Sequence, residues 1–164
     1  ELPQIPSLGE VIQATGGETH LMLELKAEPF PDPERQRAVL ARTLAALTPG
    51  VDYHVLGLDP QVFDLVPFLP RRYCIAVAEE NVEALCRVCL EAGYGGLGGH
   101  FLLLGRGVQR RLQPAGQVLG TGFVGSRNCL FRELNRGVEW VFSNDAAMLK
   151  AIRDRHLHGE RLRD

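Results

Sequence analysis

The chain has 164 residues, 45% hydrophobic and 23% charged, enough for one domain with a sizeable core. Its 18 Lys and Arg against 20 Asp and Glu leave a net charge of -2, which argues against a general nucleic-acid binder, since such proteins carry a strongly basic face. No run approaches about 18 consecutive apolar residues, so no transmembrane helix is expected. No secretory signal is read at the start. Residue 1 is Glu rather than Met, which leads to the expectation that the chain is processed or continues upstream.

Helix and strand signals alternate along the chain. Ser7-Leu-Gly-Glu10 has capping-box spacing and predicts a helix to about Thr15, ended by Gly16 and Gly17. His20 to Lys26 reads as a strand. Asp32 followed by Pro33 opens a helix whose apolar positions Val39, Leu40, Leu44 and Leu47 recur at helical spacing, stopped by Pro49-Gly50. Tyr53 to Leu58 is the second strand, and Asp59-Pro60 repeats the same opening, predicting a helix to about Leu69. A third strand follows from Arg72 to Ala78, then a helix from Glu80 to Ala92 closed by Gly93. A Gly-rich fourth strand covers about Gly95 to Leu97, with a helix somewhere within Leu102 to Leu112. Gln117 to Thr121 is the fifth strand, Asn128 to Arg136 a helix ended by Gly137, and Glu139 to Phe142 the sixth strand. Asn144 is the expected cap of a last helix, which runs into a charged tail from Arg153 to Asp164.

Strand centres fall near residues 23, 55, 75, 96, 119 and 141, a spacing of about 20 to 23 after one longer step. That is the rhythm of repeated βα units around a parallel sheet, an α/β protein read as a single domain over residues 1–164. Six such units fit an open doubly wound sheet or most of a (β/α)8 barrel, and counting does not decide between them. The four cysteines, Cys74, Cys86, Cys89 and Cys129, read as reduced thiols of a cytoplasmic protein. Cys86 and Cys89 form a C-x-x-C in mid-helix. No second pair follows at zinc spacing, and His156 and His158 lie too far along, so packing is the expected role.

The strand His20-Leu-Met-Leu-Glu-Leu-Lys26 carries the most chemical information. Alternation puts Leu21, Leu23 and Leu25 on one face and His20, Met22, Glu24 and Lys26 on the other. Two charges about 7 Å apart on one strand face are costly in a core and tolerable at the strand's carboxyl end, where α/β active sites open. Glu24 is therefore a candidate carboxylate for a hard metal ion and Lys26 a candidate ammonium for phosphate, with a structural ion pair as the other reading.

Ile5-Pro-Ser-Leu-Gly-Glu-Val-Ile12 followed by Leu23-Glu-Leu-Lys26 resembles the glycerophosphodiester phosphodiesterase family, which has a Pro-Thr-Leu-x-Glu-Val-like helix start before a strand reading Glu-Ile-Lys. Gly57-Leu-Asp59, Pro70, Gly98-Gly-His-Phe101 and Gly137-Val-Glu-Trp-Val-Phe-Ser-Asn144 are similar in order and spacing to later family segments, so the resemblance spans about residues 5 to 150. It implies a TIM-type barrel of which this chain carries strands three to eight. It implies hydrolysis of a small-molecule glycerophosphodiester to an alcohol and glycerol 3-phosphate, with Mg or Ca ligated by Glu24 and the substrate phosphate met by Lys26. His100, after the Gly-rich strand, is placed at the barrel mouth and joins Lys26 as a candidate catalytic residue.

The family's His-Arg-Gly, His-Asp and Glu-x-Asp motifs fall upstream of the residues matched here. From this follow two expectations: an upstream segment, a second chain or a dimer covers the strand edges near Leu23 and Val141, and the chain by itself does not hydrolyse these substrates at an enzymatic rate. The family's Trp-Thr-x-Asn segment is replaced by Gly120-Thr-Gly-Phe-Val-Gly125, without tryptophan or asparagine. The alternative function is a non-catalytic barrel that binds a partner or a phosphate ligand. A third reading, nucleotide binding by an open α/β domain, rests on Gly120, Gly122 and Gly125 with Glu139 downstream. His20 and His54 are expected to pack, and Arg106, Arg110 and Arg111 to form a solvated helix face.

Overall fold

The structure, a computed structural model, describes residues 4–15, 17–29 and 31–157. Residue 1, the expected helix stop at Gly16, and the part of the charged tail that includes His158 lie outside the described residues. The chain divides into two compact units, residues 1–76 and 77–164.

In the first unit, helix α1 (Leu8–Thr15) opens as its capping box predicts. The Ser7 hydroxyl accepts from the Glu10 amide at 3.3 Å, and the Glu10 carboxylate accepts from the Ser7 amide at 2.7 Å. These bonds to Ser7 hold the Glu10 carboxyl below its ordinary range. Strand β1 (Leu21–Leu25) pairs in parallel with β2 (Tyr53–Gly57), placing Glu24 beside Leu56 and Met22 beside His54. Between them runs α2 (Pro33–Leu44), capped by Asp32, whose carboxylate accepts from the Arg35 amide at 3.0 Å. Leu40 and Leu44 are its buried positions. The helix expected from Asp59 to Leu69 is instead a 3-10 segment, Pro60–Leu65. Asp59 does cap it, but Pro67 forces Val66 out of the helical region, to φ -125° and ψ 55°. Strand β3 (Cys74–Ala78) begins two residues later than expected, because Arg71–Tyr73 form a 3-10 turn. Its first residues pair in parallel with β2, Val55 opposite Cys74.

In the second unit, α3 (Val82–Ala92) buries Leu85, Cys86 and Cys89, and Gly93 ends it. Strands β4 (Gly96–His100), β5 (Val118–Gly122) and β6 (Trp140–Val141) pair in parallel in chain order. β4 runs three residues further than its glycines suggest, and His100 is its last residue. Helix α4 (Arg106–Leu112) connects β4 to β5, and α5 (Arg127–Asn135), capped by the Ser126 hydroxyl, connects β5 to β6. The last helix, α6 (Ala146–Leu157), is capped by Asp145, whose carboxylate accepts from the Met148 amide, and not by the expected Asn144. Val124, Leu130, Leu149 and Ile152 form a buried cluster between the β5–α5 region and α6. Buried Gln117 donates to the carbonyls of Cys89 and Tyr94, tying the end of α3 to the start of β5.

The six strands, all parallel in their pairings within each unit and separated by helices, make this an α/β protein, as the sequence predicts. The cysteines behave as packing groups: burial pushes the Cys74 thiol up to about 12 and raises those of Cys86 and Cys129, away from thiolate chemistry. Gly96 is required by close approach, since a Cβ there would lie 2.2 Å from the backbone oxygen of Val118. Gly96→Ala is expected to cost about 1–3 kcal/mol, as an overpacking change in a rigid place. A fall in the urea midpoint at unchanged slope is the measurement.

Candidate functional site

In the first unit, alternation along β1 brings Glu24 and Lys26 to the same side at the strand's carboxyl end. Lys26 Nζ lies 2.6 Å from Glu24 Oε1, and the side chains are 61% and 39% exposed. An ion pair this open adds about 0–1 kcal/mol of stability. Its solvent access leaves both groups able to meet a ligand. The ammonium suits a phosphate oxygen, and the carboxylate suits a hard cation. A Mg or Ca ion takes six or more oxygen ligands, of which Glu24 would be one. Among the described residues no group of three or more His, Cys, Asp or Glu side chains is placed to hold a metal ion.

At the opposite end of β1, two histidines that the sequence left as separate packing residues form a hydrogen-bonded pair. His20 Nδ1 lies 2.7 Å from the Val51 carbonyl and His20 Nε2 lies 2.9 Å from His54 Nδ1. The carbonyl accepts only, so His20 carries its proton on Nδ1 and receives the His54 Nδ1–H at Nε2. The rings are 5.0 Å apart, and the edge of Tyr73, itself under the Arg72 guanidinium, meets His54. Burial, and then the neighbouring His20, lower the His54 pKa. The unfolded chain takes up this proton near pH 6.5 and the fold only below that. Between the two values the unfolded state binds more protons, so stability rises with pH. The melting temperature is expected to fall as pH drops from 7.5 through 6.5, and His54→Gln to flatten that slope. An unchanged slope in the variant would place the dependence elsewhere.

In the second unit, His100 is half-buried at the carboxyl end of β4. It stacks on both Phe101, with ring centroids 4.7 Å apart, and Phe123, at 5.1 Å. Its Nδ1 accepts from the Leu102 amide at 3.1 Å, so the neutral ring carries its proton on Nε2 and presents a donor there. Phe123 is the one described non-glycine residue with positive φ, 64°, a costly conformation for a bulky side chain. Sequence reasoning missed it: where a tryptophan is absent from Gly120-Thr-Gly-Phe-Val-Gly125, Phe123 supplies an aromatic surface against His100. The same segment is no phosphate cradle. Gly120 and Gly122 lie inside β5 rather than in a turn, and the ring of Phe142 fills the space beside Gly120, 3.0 Å from where a Cβ would stand. Arg111 of α4 is paired with Glu83 of α3, and Arg106 and Arg110 are exposed.

No family model and no curated protein matches the sequence. Solved structures do. A glycerophosphodiester phosphodiesterase from Parabacteroides distasonis ATCC 8503 is 14% identical, with a TM-score of 0.65, over 92% of this chain and 65% of that one. A protein assigned as a glycerophosphoryl diester phosphodiesterase from Silicibacter pomeroyi DSS-3 is 17% identical, with a TM-score of 0.73, over 93% of this chain and 57% of that one. A third, assigned as a glycerophosphodiester phosphodiesterase from Galdieria sulphuraria, is 16% identical, also with a TM-score of 0.73, over 92% and 65%. The chain thus spans less than two thirds of each of these structures. Repeated βα units around parallel-paired strands define an α/β protein. More narrowly, the fold is that of the solved glycerophosphodiester phosphodiesterases. No helix among the described residues is long and apolar enough to cross a membrane.

Proposed function

We propose that this chain carries strands three to eight of a glycerophosphodiester phosphodiesterase barrel, and that the parent reaction is hydrolysis of a glycerophosphodiester to an alcohol and glycerol 3-phosphate. The observation that supports it is the solvent-open Glu24–Lys26 pair at the carboxyl end of β1, in a chain of that fold. Lys26 would offer its ammonium to charge building on the phosphate as the ester bond breaks. Glu24 would be one ligand of Mg or Ca, an ion that polarises phosphoryl oxygens when bound. His100 presents its Nε2–H as a hydrogen-bond donor at the end of β4. The acid–base histidine pair of this chemistry is not supplied by His20 and His54, which pair at the other end of the first unit's strands. A second copy of the chain or further chain segments completing the barrel belong to the same proposal.

The second reading is a phosphate-binding barrel without turnover. Release of glycerol 3-phosphate from glycerophosphocholine with Mg or Ca separates the two. Turnover by the natural full-length protein, lost on replacing Lys26, supports the enzyme. Saturable binding of glycerol 3-phosphate without turnover supports the second reading.

A further inference from the structure

We propose that the second unit docks on the surface of an anionic lipid bilayer, through the β4–α4 and β5–α5 loops and the arginines beside them. This goes beyond the catalytic reading and shares His100 with it, so vesicle binding and turnover are measured separately. Two tight turns display apolar side chains to solvent. After β4, the amides of Leu103 and Leu104 both bond the His100 carbonyl, and Leu104 is buried. That anchor holds Leu102 out at 70% exposure, with Leu103 exposed beside it. After β5, Val124 is buried, and the left-handed backbone at Phe123 turns its ring outward, 66% exposed. The two turns are joined, because Phe123 stacks on His100 and His100 on Phe101. Phe123 is held out on left-handed backbone at an energetic cost, and with Leu102 and Leu103 it presents apolar surface to solvent.

Charge points to the medium that would receive that surface. From residue 92 to residue 138 the chain has six arginines and a single acidic residue, Glu133; Arg111 is paired with Glu83 and Arg136 is buried, which leaves Arg106, Arg110, Arg127 and Arg132 exposed. Glu133 is buried against Arg132 and Arg136, so it offers no negative surface. The Arg132 guanidinium sits over the Phe101 ring at 4.8 Å, continuing the aromatic column. Arg106 follows the leucine turn directly and, with Arg110, lines an open cleft of about 360 Å³ between α4 and α5. The other lining residues are Gln109, Gln113, Asn135 and Arg136, with no carboxylate among them. Leucine and phenylalanine beside arginine match acyl chains beneath anionic headgroups. A nucleic acid would meet the arginines and leave Leu102 and Leu103 in water. A second copy brought to this face would bring like charges together.

The test is co-sedimentation of the natural full-length protein with phosphatidylcholine vesicles, with and without phosphatidylglycerol, across a salt series. Expected is binding that requires phosphatidylglycerol and weakens with salt, with each of Arg106→Gln and Arg110→Gln costing about fivefold. The triple variant Leu102→Ser, Leu103→Ser, Phe123→Asn is expected to lose about tenfold or more, with circular dichroism and melting as folding controls. Phe123→Trp, which keeps the site, is expected to be quenched by brominated acyl chains. Equal binding to vesicles without phosphatidylglycerol, an unquenched Trp, or dimerisation in place of vesicle binding would each overturn the proposal. So would tighter binding to an acidic polypeptide or to RNA than to vesicles.

Discussion

Arg136→Met is expected to destabilise the protein by about 3–5 kcal/mol, because it takes the buried one of two guanidiniums from a fully buried carboxylate and leaves the Leu104 carbonyl without that donor. Glu133 on α5 is 0% exposed. Arg132 Nε lies 2.8 Å from its Oε1 and Arg136 Nε 2.9 Å from its Oε2. The second contact is off the N–H direction, so it acts through charge rather than as a directed hydrogen bond. Arg136 is itself 8% exposed and donates from Nη2 to the Leu104 carbonyl, while Gln109 donates to the Arg136 carbonyl. The guanidinium therefore ties α5 to the turn after β4, and the Arg136 backbone carbonyl ties it to α4. For a chain of this size the loss corresponds to a fall in melting temperature of roughly 6 to 20 °C. Adding Glu133→Leu removes the half-paired buried carboxylate, and the double variant is expected to be more stable than Arg136→Met alone. A drop below about 1 kcal/mol for Arg136→Met would mean that half-exposed Arg132 satisfies Glu133 unaided.

Local devices were readable because they act within a few residues. Ser7 and Glu10, Asp32 and Pro33, and the alternation along His20–Lys26 all appear in the structure where their chemistry places them. The misreadings have equally local causes. Asp59-Pro60 is a sound helix opening, but Pro67 lies too close behind for an α-helix to grow. Asn144 and Asp145 are adjacent acceptors, and a one-residue shift moved the cap to Asp145. Glycines gave β4 little strand character of its own, and its length comes from pairing with β5, Gly96 opposite Val118 through His100 opposite Gly122. What the sequence hid depends on register and backbone angles. His20 and His54 are 34 positions apart and meet because Met22 pairs with His54 across β1 and β2. Phe123 looked like one hydrophobic residue among glycines, and its importance lies in a positive φ that composition does not reveal. Glu133 and Arg136 have ordinary helical spacing for a surface pair, and nothing in that spacing announces that the carboxylate is buried.

Lys26→Met separates a functional ammonium from a decorative one, because the two roles predict effects of different size in different measurements. As half of an exposed ion pair, Lys26 contributes at most about 1 kcal/mol to stability, so the variant should melt within a few degrees of the parent. As a fixed charge against the phosphate, it acts on charge that develops only as the ester bond breaks, and removal of one such preorganised group typically costs about 10²–10³ in kcat. In the natural full-length protein, glycerol 3-phosphate release by Lys26→Met is therefore expected to fall about 10²–10³-fold with the fold intact. Glu24→Gln keeps the size of the side chain and a hydrogen-bond partner for Lys26 while removing the negative charge. It should raise the Mg or Ca concentration needed for half-maximal rate, with a smaller effect once the metal is saturating. Lys26→Arg keeps charge but exchanges a compact ammonium for a planar fork, and should recover only part of the rate. A Lys26→Met protein that turns over at the parent rate would reduce the Glu24–Lys26 contact to a surface ion pair, and the phosphate would then have to be met by residues other than those at the end of β1.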